Sequence, residues 1–332
     1  MEEKLYSIHH RRLRLGKRIR ELVNPFRISH RNFIYPLFVD ESLTARREIE
    51  HMNGICSETR ETVFEAISST LASGINKFLL FPIPAKKRKD HFDFSFAADL
   101  VAELKQSFGD GIWLATDICL CSYTDHGHCG ILNEKGDQVL NHESVKVLGE
   151  YAYLLAKAGA DCVAPSDMMD GRVGHIRQQL NAFALEQVTI MSYSAKFSSQ
   201  WYGPFRDACH SAPDQSLGIK DRKSYQLSPL SSRDAVQCAL RDEAEGADIL
   251  MVKPAALYTD VIWSVKQKTN LPIAAYHVSG EYASVELMAA QGVVDRAKAH
   301  LEVWAALQRS GADIIISYAA PFAKSWIENY DF

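Results

Sequence analysis

Ala158-Gly159-Ala160-Asp161, Glu245-Gly246-Ala247-Asp248 and Ser310-Gly311-Ala312-Asp313 are three copies of one junction, and Ser73-Gly74-Ile75-Asn76 is a looser fourth. Each closes a helix-like stretch and opens an apolar run. A glycine just past a helix end takes the left-handed backbone that stops the helix, and the next residues enter a strand. A junction used several times marks one repeated strand–helix unit. Working outward, the candidate strands are Phe33–Val39, Lys77–Phe81, Ile112–Asp117, Asp161–Pro165, Thr189–Tyr193, Asp248–Val252, Pro272–His277 and Asp313–Ser317. Helix-like segments between them include Glu58–Ser73, Glu143–Ala158, Arg233–Glu245 and Asp295–Arg309. Most of the strands are too continuously apolar to be half exposed, as parallel strands covered on both faces are. Eight strands alternating with helices predict an α/β fold, a (β/α)8 TIM barrel. The structural rival is an open doubly wound sheet, weakened because no glycine-rich dinucleotide fingerprint follows the first strand.

Two segments fall outside the repeat. Residues 1–32 read as an extended N-terminal arm, carrying Arg11, Arg12, Arg14, Lys17, Arg18 and Arg20 ahead of the catalytic barrel over 33–332. Such an arm has no core of its own, so it is expected to pack on a neighbouring subunit. Its basic run otherwise reads as a solvated face. Ser198–Pro229 shows little periodicity, and a long irregular loop inside a compact domain is typically a lid or binding loop.

Composition narrows the class. The 332 residues are 47% apolar and 23% charged with a formal net charge of −4, the proportions of a globular protein with a sizeable core. So mild a charge gives no bulk electrostatic reason for nucleic acid or membrane as a partner. No window approaches ~18 consecutive apolar residues, so no spanning helix is expected, and MEEKLYSIHH lacks the apolar core of a secretory signal. There are seven cysteines, and Cys119, Cys121 and Cys129 crowd together. That pattern suits a metal and a reducing compartment, the cytoplasm, better than a disulfide framework.

In a barrel the chemistry sits at the C-terminal ends of the strands. Those ends offer Asp117 and Cys119 after the third strand, Ser166 and Asp167 after the fourth, Lys196 after the fifth and Lys253 after the sixth. The seventh leads to Ser279 and the eighth to Tyr318. A lysine in a barrel mouth loses hydration, and a second ammonium nearby repels it; both effects free an amine for attack on a ketone near neutral pH. The bland alternative is a lysine reaching to solvent or paired with Asp248. Three thiolates in Cys119-x-Cys121-x7-Cys129 leave a tetrahedral zinc one open position, the arrangement of a catalytic site, unless His126 or His128 closes it. Cys56, Cys162, Cys209 and Cys238 are scattered and read as small apolar fillers. Arg206, Arg222 and Gln226 lie in the irregular loop, where guanidinium forks suit a carboxylate; a polar surface loop is the alternative.

The strings Gly246 through Tyr258, Met191-Ser192-Tyr193-Ser194-Ala195-Lys196-Phe197, Tyr202-Gly203-Pro204-Phe205-Arg206-Asp207 and Asp221-Arg222-Lys223-Ser224-Tyr225-Gln226 stand in one order. With them run His126-Gly127-His128-Cys129-Gly130, Met169-Asp170-Gly171-Arg172-Val173, Tyr276 through Tyr282, and Ser317-Tyr318. Over essentially its whole length the chain resembles the porphobilinogen synthase (5-aminolevulinate dehydratase) family. The resemblance implies a lyase of heme and porphyrin biosynthesis that condenses two 5-aminolevulinate molecules to porphobilinogen with loss of two waters. It further implies a homo-octamer whose arms wrap partner subunits. It assigns Lys253 to the first substrate through a Schiff base, with Ser279 and Tyr318 on its carboxylate, and Phe81, Tyr202, Phe205, Tyr276 and Val278 lining the pocket. Lys196 would hold the second substrate, with Arg206, Arg222 and Gln226 on its carboxylate, and Asp117 would orient the amino group. The thiols Cys119, Cys121 and Cys129 imply the zinc-dependent branch rather than the magnesium-dependent one. Cys238 stands where some bacterial members bind an allosteric magnesium through Glu, which argues against that site here. Gln215–Gly218 reads as a short insertion ahead of Arg222.

Two other classes compete. A class I aldolase-like barrel would use one working lysine and a structural zinc, giving a single imine per site and activity that survives chelation. A non-catalytic metal-binding or assembly protein would leave two strand-end lysines and a carboxylate clamp without purpose.

Overall fold

A computed structural model of the chain describes residues 10–330. The first nine residues of the expected arm, and most of the stretch read for a secretory signal, lie outside the described residues. The eight barrel strands are Phe33–Asp40, Lys77–Ile83, Trp113–Ile118, Cys162–Pro165, Thr189–Lys196, Ile249–Lys253, Ile273–His277 and Ile314–Ser317. Every neighbouring pair is parallel, and the eighth closes on the first through Phe33 opposite Ile315 and Ile34 opposite Ile316. The open-sheet alternative is thereby excluded. The strands are buried almost throughout, as both-face coverage requires. A helix such as Ser95–Phe108 covers them with Phe96, Ala97, Leu100, Val101 and Leu104, an apolar stripe on one face.

The repeated junction has a physical basis in both of its conserved letters. Gly159, Gly246 and Gly311 take φ of 107°, 102° and 113°, where side chains are strained. The aspartate two residues on reaches across to the preceding strand. Asp161 accepts from the Leu114 N–H at 2.8 Å, Asp248 from Ile190 at 2.7 Å and Asp313 from Ile273 at 2.9 Å. The same carboxylates pair with Lys105, Arg177 and Lys266 on the helices entering those strands. The stem of each basic residue packs over the glycine, and at Gly311 an added Cβ would lie 2.9 Å from that of Lys266. Gly311→Ala is therefore expected to destabilise the fold by roughly 1–3 kcal/mol. A lowered urea midpoint would show it, and an unchanged midpoint would refute the claim.

Three features add to the sequence reading. The arm holds a short helix, Lys17–Val23. The segment 198–229 is not wholly irregular: Ser199 Oγ accepts from the Trp201 N–H to start a 3-10 turn, and Gly203–Ala208 follows as a helix. Its Pro204 sits in the first turn, where a missing N–H costs nothing. Two short strands, Arg47–Glu48 and Cys56–Glu58, add a flap after the first barrel strand. Among the described residues no helix is long and apolar enough to cross a membrane.

Candidate active site

The fifth and sixth strands end on the two lysines, and the ladder between them is broken by one extra residue. Ser192 lies opposite Leu250, yet Ala195 lies opposite Val252 and Lys196 opposite Lys253. This bulge brings the two lysines level on neighbouring strands. Both are buried. Their amines share one ring: Lys253 Nζ lies 4.9 Å and Lys196 Nζ 5.4 Å from the centre of Tyr193. Asp117 lies beside both, its carboxylate feeling the charge of each.

Lys253 Nζ is enclosed by aromatic rings, with Tyr276 at 4.1 Å, Phe205 at 4.6 Å, Tyr202 at 5.5 Å and Phe81 at 5.9 Å. Burial in this cage, and then the charge of Lys196, push its pKa down to about 7. A ring face attracts a cation, but five rings do not replace lost hydration. Asp248, the alternative partner for Lys253, instead pairs with Arg177 at 2.6 Å at the opposite end of the strand. The Lys253 carbonyl accepts from the Tyr202 hydroxyl at 2.9 Å and from the Phe197 N–H at 2.9 Å. Lys196 Nζ donates to the carbonyl of Ser166. Asp117 is buried beside both amines; loss of hydration raises its pKa to about 6 against the opposing pull of Lys196.

The segment 197–229 is closed over this rim. Its ends are zipped together by Ser198 N–H to Leu227 O at 2.8 Å and Leu227 N–H to Lys196 O at 3.0 Å. Arg222 and Gln226 are thereby buried. Arg222 donates to the carbonyls of Gly127 and Ser211 at 2.9 and 2.6 Å. Gly127 lets the Ser211–Ala212 backbone pass close by, since a Cβ there would meet the Ala212 carbonyl oxygen at 2.4 Å. Arg206 donates to Ser199 O at 3.0 Å. Buried polar atoms are left without partners on Asp117, Tyr193, Arg206, Arg222 and both ends of the Gln226 amide. Buried groups of this kind normally find a partner, so these are free to receive a polar ligand.

On the other side, Ser279 begins the helix Ser279–Ala290, with Val278 as its cap. Its hydroxyl accepts from the Phe205 N–H at 3.2 Å. The Tyr318 hydroxyl lies 3.1 Å from that of Tyr276.

Cys119, Cys121 and Cys129 are buried, and their sulfurs all lie within 4.8 Å of one another. Thiolates around a tetrahedral zinc are about 3.8 Å apart for bonds of ~2.3 Å, so the cluster can hold a metal ion. The two nearby histidines differ: His126 Nε2 is buried without a partner, whereas His128 is fully engaged. His128 Nδ1 lies 3.0 Å from the Tyr225 hydroxyl and Nε2 3.1 Å from the Ile219 carbonyl, so both ring nitrogens are engaged. His126 Nδ1 accepts from the His128 N–H at 3.1 Å. Among the described residues the metal-holding group comprises the three cysteines. All seven cysteines are free thiols. Of the expected fillers, Cys162 and Cys209 are buried, whereas Cys56 and Cys238 are only partly covered.

The family profile for delta-aminolevulinic acid dehydratase matches residues 7–326. The chain belongs to the delta-aminolevulinic acid dehydratase family. The delta-aminolevulinic acid dehydratase of Bacillus subtilis is 39% identical over 322 residues, 96% of this chain and 97% of the relative. That of Escherichia coli is 40% identical over 315 residues, 93% of this chain and 94% of the relative. The crystal structure of delta-aminolevulinic acid dehydratase (porphobilinogen synthase) from Toxoplasma gondii, in complex with the reaction product porphobilinogen, superposes with a TM-score of 0.89 at 36% identity. The match covers 96% of this chain and 91% of that one. Family membership and a shared barrel are thus established together.

Residue types alone do not single out Tyr193, whose ring both amines approach, or Tyr225, which packs on the three cysteines. Both stand inside motifs quoted for the family resemblance, which was the available signal.

Proposed function

We propose that this chain is a lyase that condenses two molecules of 5-aminolevulinate into porphobilinogen, a step of heme and porphyrin biosynthesis. The observation that carries the reading is the pair of buried lysines, level on neighbouring strands with both amines beside the Tyr193 ring. Each amine adds to a ketone carbon and loses water to form an imine. Across the whole reaction the two ketone oxygens leave as the two waters. Lys253 takes the first substrate, with Ser279 and Tyr318 on its carboxylate and Phe81, Tyr202, Phe205, Tyr276 and Val278 around its chain. Lys196 takes the second, whose carboxylate is met by Arg206, Arg222 and Gln226. Asp117 accepts from the substrate's amino group. The closed segment excludes water, which strengthens each of these contacts.

Cys119, Cys121 and Cys129 would hold zinc, a Lewis acid supplied beside the second substrate when bound. No step above is taken over by it. An aldolase-like reading with a single lysine leaves the buried Lys196 without a role. Free thiols fit a reducing compartment such as the cytoplasm. Leu13, Leu15, Leu22, Val23 and Phe26 are exposed along the arm, which supports packing on other subunits in a homo-octamer; sedimentation of the full chain tests the assembly.

Incubation with 5-aminolevulinate, with and without a chelator, should give the pyrrole only when metal is retained. Failure to form pyrrole with metal supplied would overturn the assignment. The Lys253 amine reacts in its neutral form, so capture by borohydride should weaken as pH falls through about 7. The rate should drop roughly tenfold per pH unit once the amine is mostly protonated. A profile flat down to pH ~5 would mean that another group is the nucleophile.

A further inference from the structure

Glu281 is buried near the rim yet has no part in the chemistry above. Among the described residues no basic side chain pairs with it. Its two oxygens are shared between two chain segments. Oε1 accepts from the N–H groups of Ala256 at 2.8 Å and Leu257 at 3.4 Å, in the loop leaving Lys253. Oε2 accepts from the Val278 N–H at 2.9 Å, beside Ser279. Burial raises its pKa to about 7, and the backbone donors are what pull it down. One carboxylate therefore ties the loop carrying the nucleophile to the helix start carrying the carboxylate partner.

We infer that Glu281 is a positioning residue that fixes the separation between Lys253 and Ser279, so that a keto acid of one length meets the amine and the carboxylate pocket together. The inference rests on the reading of Lys253 as first nucleophile and Ser279 as its carboxylate partner. A carboxylate is required because both oxygens must accept. A glutamine presents one oxygen and one NH2, and the NH2 would face a backbone N–H, leaving buried donors opposed. Either tie can survive in Glu281→Gln, but not both.

The test compares two probes at Lys253, each captured by borohydride and located by peptide mass spectrometry. One is 4-oxopentanoate, the substrate without its amino group. The other is 2-butanone, which has the ketone and no carboxylate. In the wild-type protein the keto acid should be captured faster. In Glu281→Gln that preference should fall about tenfold, the worth of one charge-assisted tie, while capture of 2-butanone stays within about twofold. A purely structural role would slow both probes alike and overturn the inference, as would an unchanged preference in the folded variant. If Glu281→Gln does not fold, Glu281→Asp, which keeps the charge and shortens the reach, is judged by the same ratio. Wild-type protein that gives no adduct at Lys253 with either probe would instead sink the Schiff-base reading, and this inference with it.

Discussion

The Lys253→Met protein is expected to lose pyrrole formation by a factor on the order of 10³ or more, because no other group at the end of the sixth strand can form the imine. Methionine is unbranched and polarisable, and fits among aromatic rings. The five rings around the amine therefore keep a partner of similar length. The fold should be no less stable than the wild type at neutral pH. The folded pKa near 7 lies below the unfolded value, so the native state binds the proton less readily, and burying this lysine opposes folding at neutral pH and below. Methionine removes that penalty. The measurement is turnover beside a thermal melt. Turnover within tenfold of the wild type would show that Lys253 is not the nucleophile, whereas a collapsed melt would show that the loss came through the fold.

Cys121→Ala is expected to strip the metal and most of the activity while leaving the barrel intact. The apparent binding free energy of a structural zinc site is about 10–16 kcal/mol, so losing one sulfur ligand removes several kcal/mol and weakens affinity by roughly two to four orders of magnitude. The barrel should tolerate the change because the three cysteines form a small cluster of their own, with Tyr225 against it, apart from the main core. Metal content, a thermal melt and turnover together decide the matter. A metal-free Cys121→Ala protein with full turnover would refute a catalytic metal at these sulfurs.

The fold was legible because its signals are local. A glycine that must leave the helical region and an apolar run behind it can be read from four residues, and each of the eight strands was located to within a few positions. Lys196, Lys253 and the cysteine trio were legible for a similar reason, since strand ends project to one rim. The bulge was not legible. In a regular strand Tyr193 and Lys196, three residues apart, point to opposite faces, and the extra residue between Ser192 and Ala195 lets the Lys196 amine lie 5.4 Å from the Tyr193 ring. The hydrogen bonds that engage both nitrogens of His128 come from Tyr225 and Ile219, nearly a hundred residues away. Spacing carries no trace of such partners. Arg172 lay inside a quoted motif, but its burial against Asp242, Asp167 and Ser192 depends on three separate elements. The short helix Gly203–Ala208 escaped notice because six residues are too few for periodicity to register.

The carboxylate ties at residues 161, 248 and 313 lie at the end of the barrel remote from the lysines, and each fastens a strand to the one before it. Closure and chemistry are therefore answerable to different residues. Over evolutionary time the connections at the rim are free to lengthen, shorten or exchange side chains as substrates and metals change. A single replacement among those three aspartates would loosen two adjoining units at once, whereas a rim loop can change between its functional side chains without touching that floor.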